Sequence, residues 1–228
     1  MIPLKDDNPV DRTPVVTYAL IATNVAAFVW QLGVGIDVSA LRGGAIPYEI
    51  LTFSDIELPA IAPPPLTIFT SMFLHGGFVH IASNLLFLWI FGNNVEDALG
   101  RRRFLVFYLA TGVAAALAQT VAAAASGDAL VPMVGASGAI AGVLAAYMTL
   151  FPHARVLALI IIVIFVRVTP VPAALFIGLW FFLQVFAVVF GGEPGVAFVA
   201  HIGGFVAGWL LVRILGRRPA WRARRVSW

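Results

Sequence analysis

The chain has 228 residues, 61% of them hydrophobic and only 11% charged, with a formal net charge of +3 and no cysteine. A soluble domain carries roughly 25% charged and about 45–50% apolar residues, so water is excluded as the main solvent and a polytopic membrane bundle is expected. The absence of cysteine excludes disulfides, thiolate nucleophiles and Cys-ligated metal sites together.

Long apolar runs bounded by charges or by Gly and Pro predict spans at about 15–32, 78–95, 104–125, 137–151, 173–190 and 196–215. At roughly 20 residues per crossing, five are long enough or nearly so, and the fourth is short. The first span is not read as a signal peptide, because Asp6, Asp7 and Asp11 flank it and no convincing small-residue cleavage site follows. The connection 33–77 mixes Pro59, Pro63, Pro64 and Pro65 with many apolar side chains. It is expected to lie in the membrane interface as short helices that prolines start or stop. Residues 156–166, between Arg155 and Arg167, are too few to cross and predict an interfacial or re-entrant stretch. The resulting organisation is an N-terminal arm at 1–14, a six-span domain at 15–216 and a basic tail at 217–228.

Six spans put both termini on one side. Lys5, Arg12, Arg101, Arg102, Arg103, Arg155, Arg167, Arg213 and the arginines of the tail all fall on that side, and only Arg42 falls on the other. The positive-inside rule then predicts that both termini are cytoplasmic. The expected location is the plasma (inner) membrane of a prokaryote. The terminal arginines read as a topology anchor touching anionic lipid, and no nucleic-acid partner is expected.

Polar residues at membrane depth are costly unless paired or lining a wet cavity. The spans hold no Asp or Glu clear of their ends, which argues against a proton-coupled transporter and an aspartyl protease. What stands out is His75, His80 and Asn84 leading into span 2, Ser137 opening span 4 and His201 in span 6; His153 is read as facing water.

Spans 2, 4 and 6 run in the same direction, so depth can be counted from their inner ends. His80, Ser137 and His201 lie fourteen residues before Asn94, Phe151 and Leu215. At ~1.5 Å per residue all three sit about 21 Å above the inner boundary, at one level. A span that starts at Ser137 requires residues 130–136 to enter the membrane as irregular backbone, which is tolerated only in protein or beside water. A sunken, water-accessible pocket is the expectation.

Gly135-Ala136-Ser137-Gly138 combines a hydroxyl with the unpaired N–H groups of a helix start, which favour negative charge. By itself the tetrapeptide equally suits a packed helix face. His201, with Gly204 and Gly208 on the same helical side, could reach Ser137 if span 6 packs on Ala141 and Ala145 of span 4. Alone it reads as a structural histidine; beside a serine at equal depth it is a candidate general base. His80 and Asn84 share a face one turn apart and could donate to an oxyanion, although Asn84 would also serve as an interhelical bond.

Gly135-Ala136-Ser137-Gly138 at the head of a short helix, Ala200-His201-Ile202-Gly203-Gly204 with Gly208, and His75 followed by His80-x-x-x-Asn84 resemble the rhomboid intramembrane serine proteases over roughly residues 15–216. The resemblance implies an all-α membrane protein: a six-transmembrane-helix bundle with a sunken, water-accessible site. It implies a Ser–His dyad without a carboxylate, Ser137 as nucleophile and His201 as base. Asn84, His80 and the backbone around Gly135, Ala136 and Ser137 would hold the oxyanion. Substrates would be single-pass membrane proteins cut in or near the spanning helix, with the lipid bilayer as the other partner. No cofactor and no metal are expected. Lateral entry near the fifth span suggests Trp180, Phe181, Phe182 and Phe186 as gate residues, or equally as a lipid-facing belt.

Two positions depart from the family pattern. Leu66-Thr67 stands where many members carry Trp-Arg, leaving the loop without its usual anchor. Ala141 stands one turn after the serine, where many members have an aromatic ring against the histidine, so another residue must orient His201. Without the third group of a triad, slow turnover is expected. The competing functions are a rhomboid-like pseudoenzyme, a channel or transporter with a histidine relay, which lacks an intramembrane carboxylate, and a metal hydrolase, which lacks a His-Glu-x-x-His pattern.

Overall fold

The computed structural model describes residues 1–56, 58–162 and 164–215. The tail 217–228, with its five arginines, lies outside the described residues.

Among the described residues, five helical segments are long and apolar enough to cross a membrane: α1 (Val15–Val34), a continuous segment Phe78–Leu99, α7 (Arg101–Ser126), α9 (Ala173–Phe190) and α10 (Phe198–Leu215). The shorter apolar helix α8 (Ser137–Leu150) packs among them. The molecule is thus a predominantly helical membrane bundle, as expected. Its second segment is α5 (Phe78–Phe87) and α6 (Asn93–Leu99) joined through a wide π-turn at Leu88–Gly92. Large apolar side chains such as Val29, Val121, Val189 and Ile214 point outward, as a hydrocarbon solvent demands.

The inner packing relies on small residues. A methyl group on Gly204 would collide with the Gly138 carbonyl, and one on Gly208 would lie 2.5 Å from the Gly142 Cα. Such backbone approach is how membrane helices gain dispersion contact without a hydrophobic driving force. The residues of α8 that meet Gly204 and Gly208 are therefore Gly138 and Gly142, rather than the expected Ala141 and Ala145. On its other side α8 meets α7, where Gly138 faces Ala115 and Gly142 faces Thr111.

The 33–77 connection forms short helices α2 (Ile36–Gly43), α3 (Pro47–Thr52) and α4 (Thr67–Ser71), the last preceded by a 3₁₀ turn at Pro64–Leu66. Pro47 and Pro64 occupy first-turn positions, where a missing N–H costs nothing. Where Leu66-Thr67 departs from the family's usual anchor, threonine hydroxyls and a backbone bridge hold the loop. Thr70 Oγ1 donates to Gly43 O (2.6 Å), Thr67 Oγ1 donates to Pro64 O (2.6 Å), and Ala45 pairs with Met133 across the two outer loops. Residues 130–136 are irregular apart from that bridge, as the short α8 requires.

At the opposite end, the stretch expected to be interfacial or re-entrant is a β-hairpin. Strands β2 (Arg155–Ile162) and β3 (Phe165–Pro172) pair antiparallel, and β1 (Ile2–Asp6) adds to β2 in the order β1-β2-β3. The composition explains it: β2 and β3 are rich in Val and Ile, which favour a pleated, half-buried surface. Val156 and Ala158 alternate inward and are fully buried, while Pro170 and Pro172 are tolerated because β3 is an edge strand.

The sheet ties the N-terminal arm to the α8–α9 connection, and the Arg101 side chain donates to Thr13 O (3.5 Å). Three segments with the arginine bias therefore cluster at one end. Glu96 closes this end of α1. Pro14 offers no side-chain cap there, and the Glu96 carboxylate instead accepts Val16 N–H (3.0 Å), Thr17 N–H (2.7 Å) and Thr17 Oγ1–H (2.8 Å).

Candidate active site

A cleft of about 1030 Å³ opens between α5, the irregular segment before α8, and the facing ends of α9 and α10. His80, Asn84, Ser137, Trp180 and His201 line it. His80, Ser137 and His201, the three residues predicted to share one depth, thus face a common space together with Asn84, whereas His75 is buried.

Ser137 is the first residue of α8, where the preceding Ala136 supplies no side-chain cap. Its neighbouring N–H groups belong to the helix start and lack i−4 partners within the helix. Ser137 Oγ lies 2.7 Å from His201 Nε2. The contact is possible because Gly204, three residues after His201, brings α10 onto the backbone of α8 at Gly138.

Gly135 has φ +127°, a conformation glycine adopts at no steric cost. A Cβ there would lie 2.8 Å from His80 Nε2 and 3.5 Å from Ser137 Oγ. The Gly135 N–H already donates to Ser71 O (2.9 Å). Gly135 therefore contributes clearance for the imidazole and not, as the motif suggests, a free oxyanion donor. The Ala136 and Ser137 backbone is the remaining main-chain candidate.

His80 is oriented by its own loop. Gly76 N–H donates to His80 Nδ1 (3.2 Å), so the ring proton sits on Nε2, the nitrogen above Gly135. Asn84 Nδ2 donates to His80 O (2.9 Å) and keeps a second N–H for the cleft. His75 lies behind this pair, edge-on to His80 with ring centroids 5.1 Å apart. Its backbone is clamped by Gln31, whose Oε1 accepts His75 N–H (2.8 Å) and whose Nε2 donates to His75 O (3.2 Å). His153 is exposed in the turn before β2.

The residue that meets the other side of His201 belongs to none of the sequence motifs. Gln184 Oε1 lies 2.7 Å from His201 Nδ1, and Trp180 packs against the same ring at 5.7 Å between centroids. Gln184 is the sole amide in an otherwise apolar α9, and that isolation is the signal by which the sequence marks it. Of the other proposed gate residues, Phe181 stacks on Phe205 at 4.2 Å, whereas Phe182 and Phe186 are exposed. Among the described residues, no group of three or more His, Cys, Asp or Glu side chains could hold a metal ion.

A helical membrane bundle with a serine and a histidine in hydrogen-bond contact, in a cleft beside a broken helix start, defines the class. The rhomboid domain model matches residues 64–218, and the chain belongs to the rhomboid family. It is similar to Rhomboid protein 1, mitochondrial, of Saccharomyces cerevisiae, 30% identical over 200 residues that cover 84% of this chain and 50% of the yeast protein. Presenilin-associated rhomboid-like protein, mitochondrial, of Bos taurus is 33% identical over 137 residues, 60% of this chain and 33% of its own length. Rhomboid protease GluP of Bacillus subtilis is 35% identical over 135 residues, 58% of this chain and 24% of its own length. The chain thus spans half or less of the length of these curated relatives.

Proposed function

We propose that this chain is an intramembrane serine endopeptidase that cleaves single-pass membrane proteins in or near their spanning helix. The observation that carries the reading is the 2.7 Å contact between Ser137 Oγ and His201 Nε2, made inside the cleft of a rhomboid-family bundle.

In this mechanism His201 Nε2 takes the Ser137 proton as Oγ attacks the scissile carbonyl, and later returns it to the departing amine. Water then hydrolyses the acyl-enzyme by the same route. The tetrahedral oxyanion accepts hydrogen bonds from His80 Nε2–H, Asn84 Nδ2–H and the backbone N–H groups at Ala136 and Ser137. A helical substrate must unwind first, since its carbonyls are engaged in i to i−4 bonds. The cleft between α5 and α9 suits an unwound segment entering from the lipid.

The proposed topology is six crossings, counting α8, with both termini cytoplasmic in a prokaryotic plasma membrane. The clustering of β1, the Arg101 region and the β2–β3 hairpin at one end supports it, with Arg42 on the outer connection.

The test is labelling of the detergent-solubilised chain by a fluorophosphonate, together with co-expression against a panel of tagged single-span proteins. Wild type is expected to be labelled and to release fragments, and Ser137→Ala and His201→Ala to do neither. Fragments that persist in Ser137→Ala would overturn the reading, and a folded wild type that captures substrates without cutting them would favour a pseudoenzyme.

A further inference from the structure

Gln184 sits in α9 one turn after Trp180 and is 8% exposed. Its amide is held at both ends. Nε2 donates to Trp180 O at 3.1 Å, and Oε1 faces His201 Nδ1 at 2.7 Å. A backbone carbonyl cannot donate, so the NH₂ group must be the end facing Trp180 and the oxygen the end facing His201.

This decides where the imidazole proton lies. An amide oxygen only accepts, so His201 Nδ1 must carry the hydrogen and donate it to Gln184. His201 Nε2 is left with a free lone pair directed at Ser137 Oγ, 2.7 Å away. The opposite tautomer would place Nε2–H against the hydroxyl and remove the acceptor that a general base needs.

We infer that Gln184 is a positioning residue that selects the base-competent tautomer of His201, making the site a Ser137–His201–Gln184 relay with a neutral third member. The inference rests on the proteolytic role of Ser137 and His201. Depth in the membrane explains the chemistry: a carboxylate in this place would carry the large cost of a charge in hydrocarbon, whereas an amide orients the ring without one. Trp180 and Phe198 wall the ring at 5.7 and 6.3 Å, so the aromatics restrict its swing and Gln184 supplies its polar restraint. This is the orienting contact that Ala141 cannot make from α8.

Two measurements test it. In the first, ¹⁵N shifts of histidine-labelled wild type, with His201 assigned by His201→Ala, are expected to show a protonated Nδ1 and an unprotonated Nε2. A protonated Nε2 in the neutral ring would overturn the inference whatever the activity. In the second, kinetics on a cleavable single-span substrate are compared among wild type, Gln184→Leu and Gln184→Glu. Gln184→Leu is expected to lose roughly 10- to 100-fold in kcat with KM unchanged within about twofold, while Gln184→Glu, which restores the acceptor at a cost in stability, stays within about fivefold of wild type per folded molecule. Wild-type kcat in Gln184→Leu, or equal loss in both variants, would overturn it. Failure of the proteolytic reading itself would appear separately, as cleavage that survives in Ser137→Ala.

Discussion

Gly204 of α10 rests directly on the carbonyl of Gly138, the residue after the proposed nucleophile. Both helices approach as closely as backbone permits, and Gly208 repeats the contact one turn later against Gly142. The separation of Ser137 from His201 is therefore set by two glycine pairs and not by the two side chains themselves.

A methyl group at 204 has nowhere to go, since its collision is with backbone. Gly204→Ala is expected to push α10 off α8, costing roughly 1–3 kcal/mol in stability and about 100-fold or more in cleavage through misplacement of His201. Gly178→Ala in α9, where an added methyl group would meet nothing within 4 Å beyond its own helix, serves as the control and should leave cleavage unchanged and stability no lower. Thermal melts and initial cleavage rates on the two variants check this; equal behaviour would remove the glycine pairs from the account of the site.

Asn84 offers one amide hydrogen to His80 O and the other to the cleft. Asn84→Ala is expected to lower kcat by about 10²-fold, the scale of a lost oxyanion donor, with little change in KM. In the proposed mechanism His80 and Asn84 serve one oxyanion, so adding His80→Ala should cost less than the sum of the single effects. Full additivity in the double-mutant cycle would assign them separate roles.

Glu96 is buried at 2% exposure and replaces the missing cap of α1. Glu96→Ala strands Val16 N–H, Thr17 N–H and the Thr17 hydroxyl, and is expected to destabilise the bundle by about 1–3 kcal/mol. Glu96→Gln keeps acceptor capacity and should lose less. Detergent-micelle unfolding of the two variants distinguishes a capping role from bulk packing, for which both would lose similarly.

Asp6 couples the N-terminal strand to pH. Its carboxylate accepts Tyr147 O–H at 2.6 Å, and burial, opposed by that bond and aided by the neighbouring Asp7, pushes its pKa up to about 6. A raised carboxylate value means the docked strand binds a proton more readily than a detached one. The contribution is fully present below about 4, is lost as pH rises through about 6, and amounts to roughly 1–3 kcal/mol. Amide hydrogen exchange at Leu4, Lys5 and Asp6, corrected for intrinsic rates, should show tighter protection at pH 5 than at pH 8. Asp6→Asn should be protected equally at both, and a pH-independent wild type would contradict the coupling.

Much of the site is legible in the linear sequence. Ser137, His201 and His80 can be set at one depth because helical rise is constant and span ends are marked by charge. What stays hidden has two origins. Gln184 stands out as polar in α9, yet hydropathy does not reveal a helix's rotation, so its partner cannot be read from the chain. The length of 156–166 excludes a crossing without choosing between a re-entrant turn and a strand, and only its β-branched residues point to the hairpin that forms there.

The sequence by itself determined the solvent, the helical spans that the structure contains, and the few uncharged polar groups left at membrane depth. These follow from the cost of burying polarity, which is local and additive along a chain. Only the tertiary structure decided which helices touch, that Gly204 meets Gly138, and that His201 lies between Ser137 and Gln184. In a uniformly apolar surrounding no hydrophobic gradient selects a neighbour, so lateral order is settled by the fit of small residues across interfaces that the linear sequence does not pair.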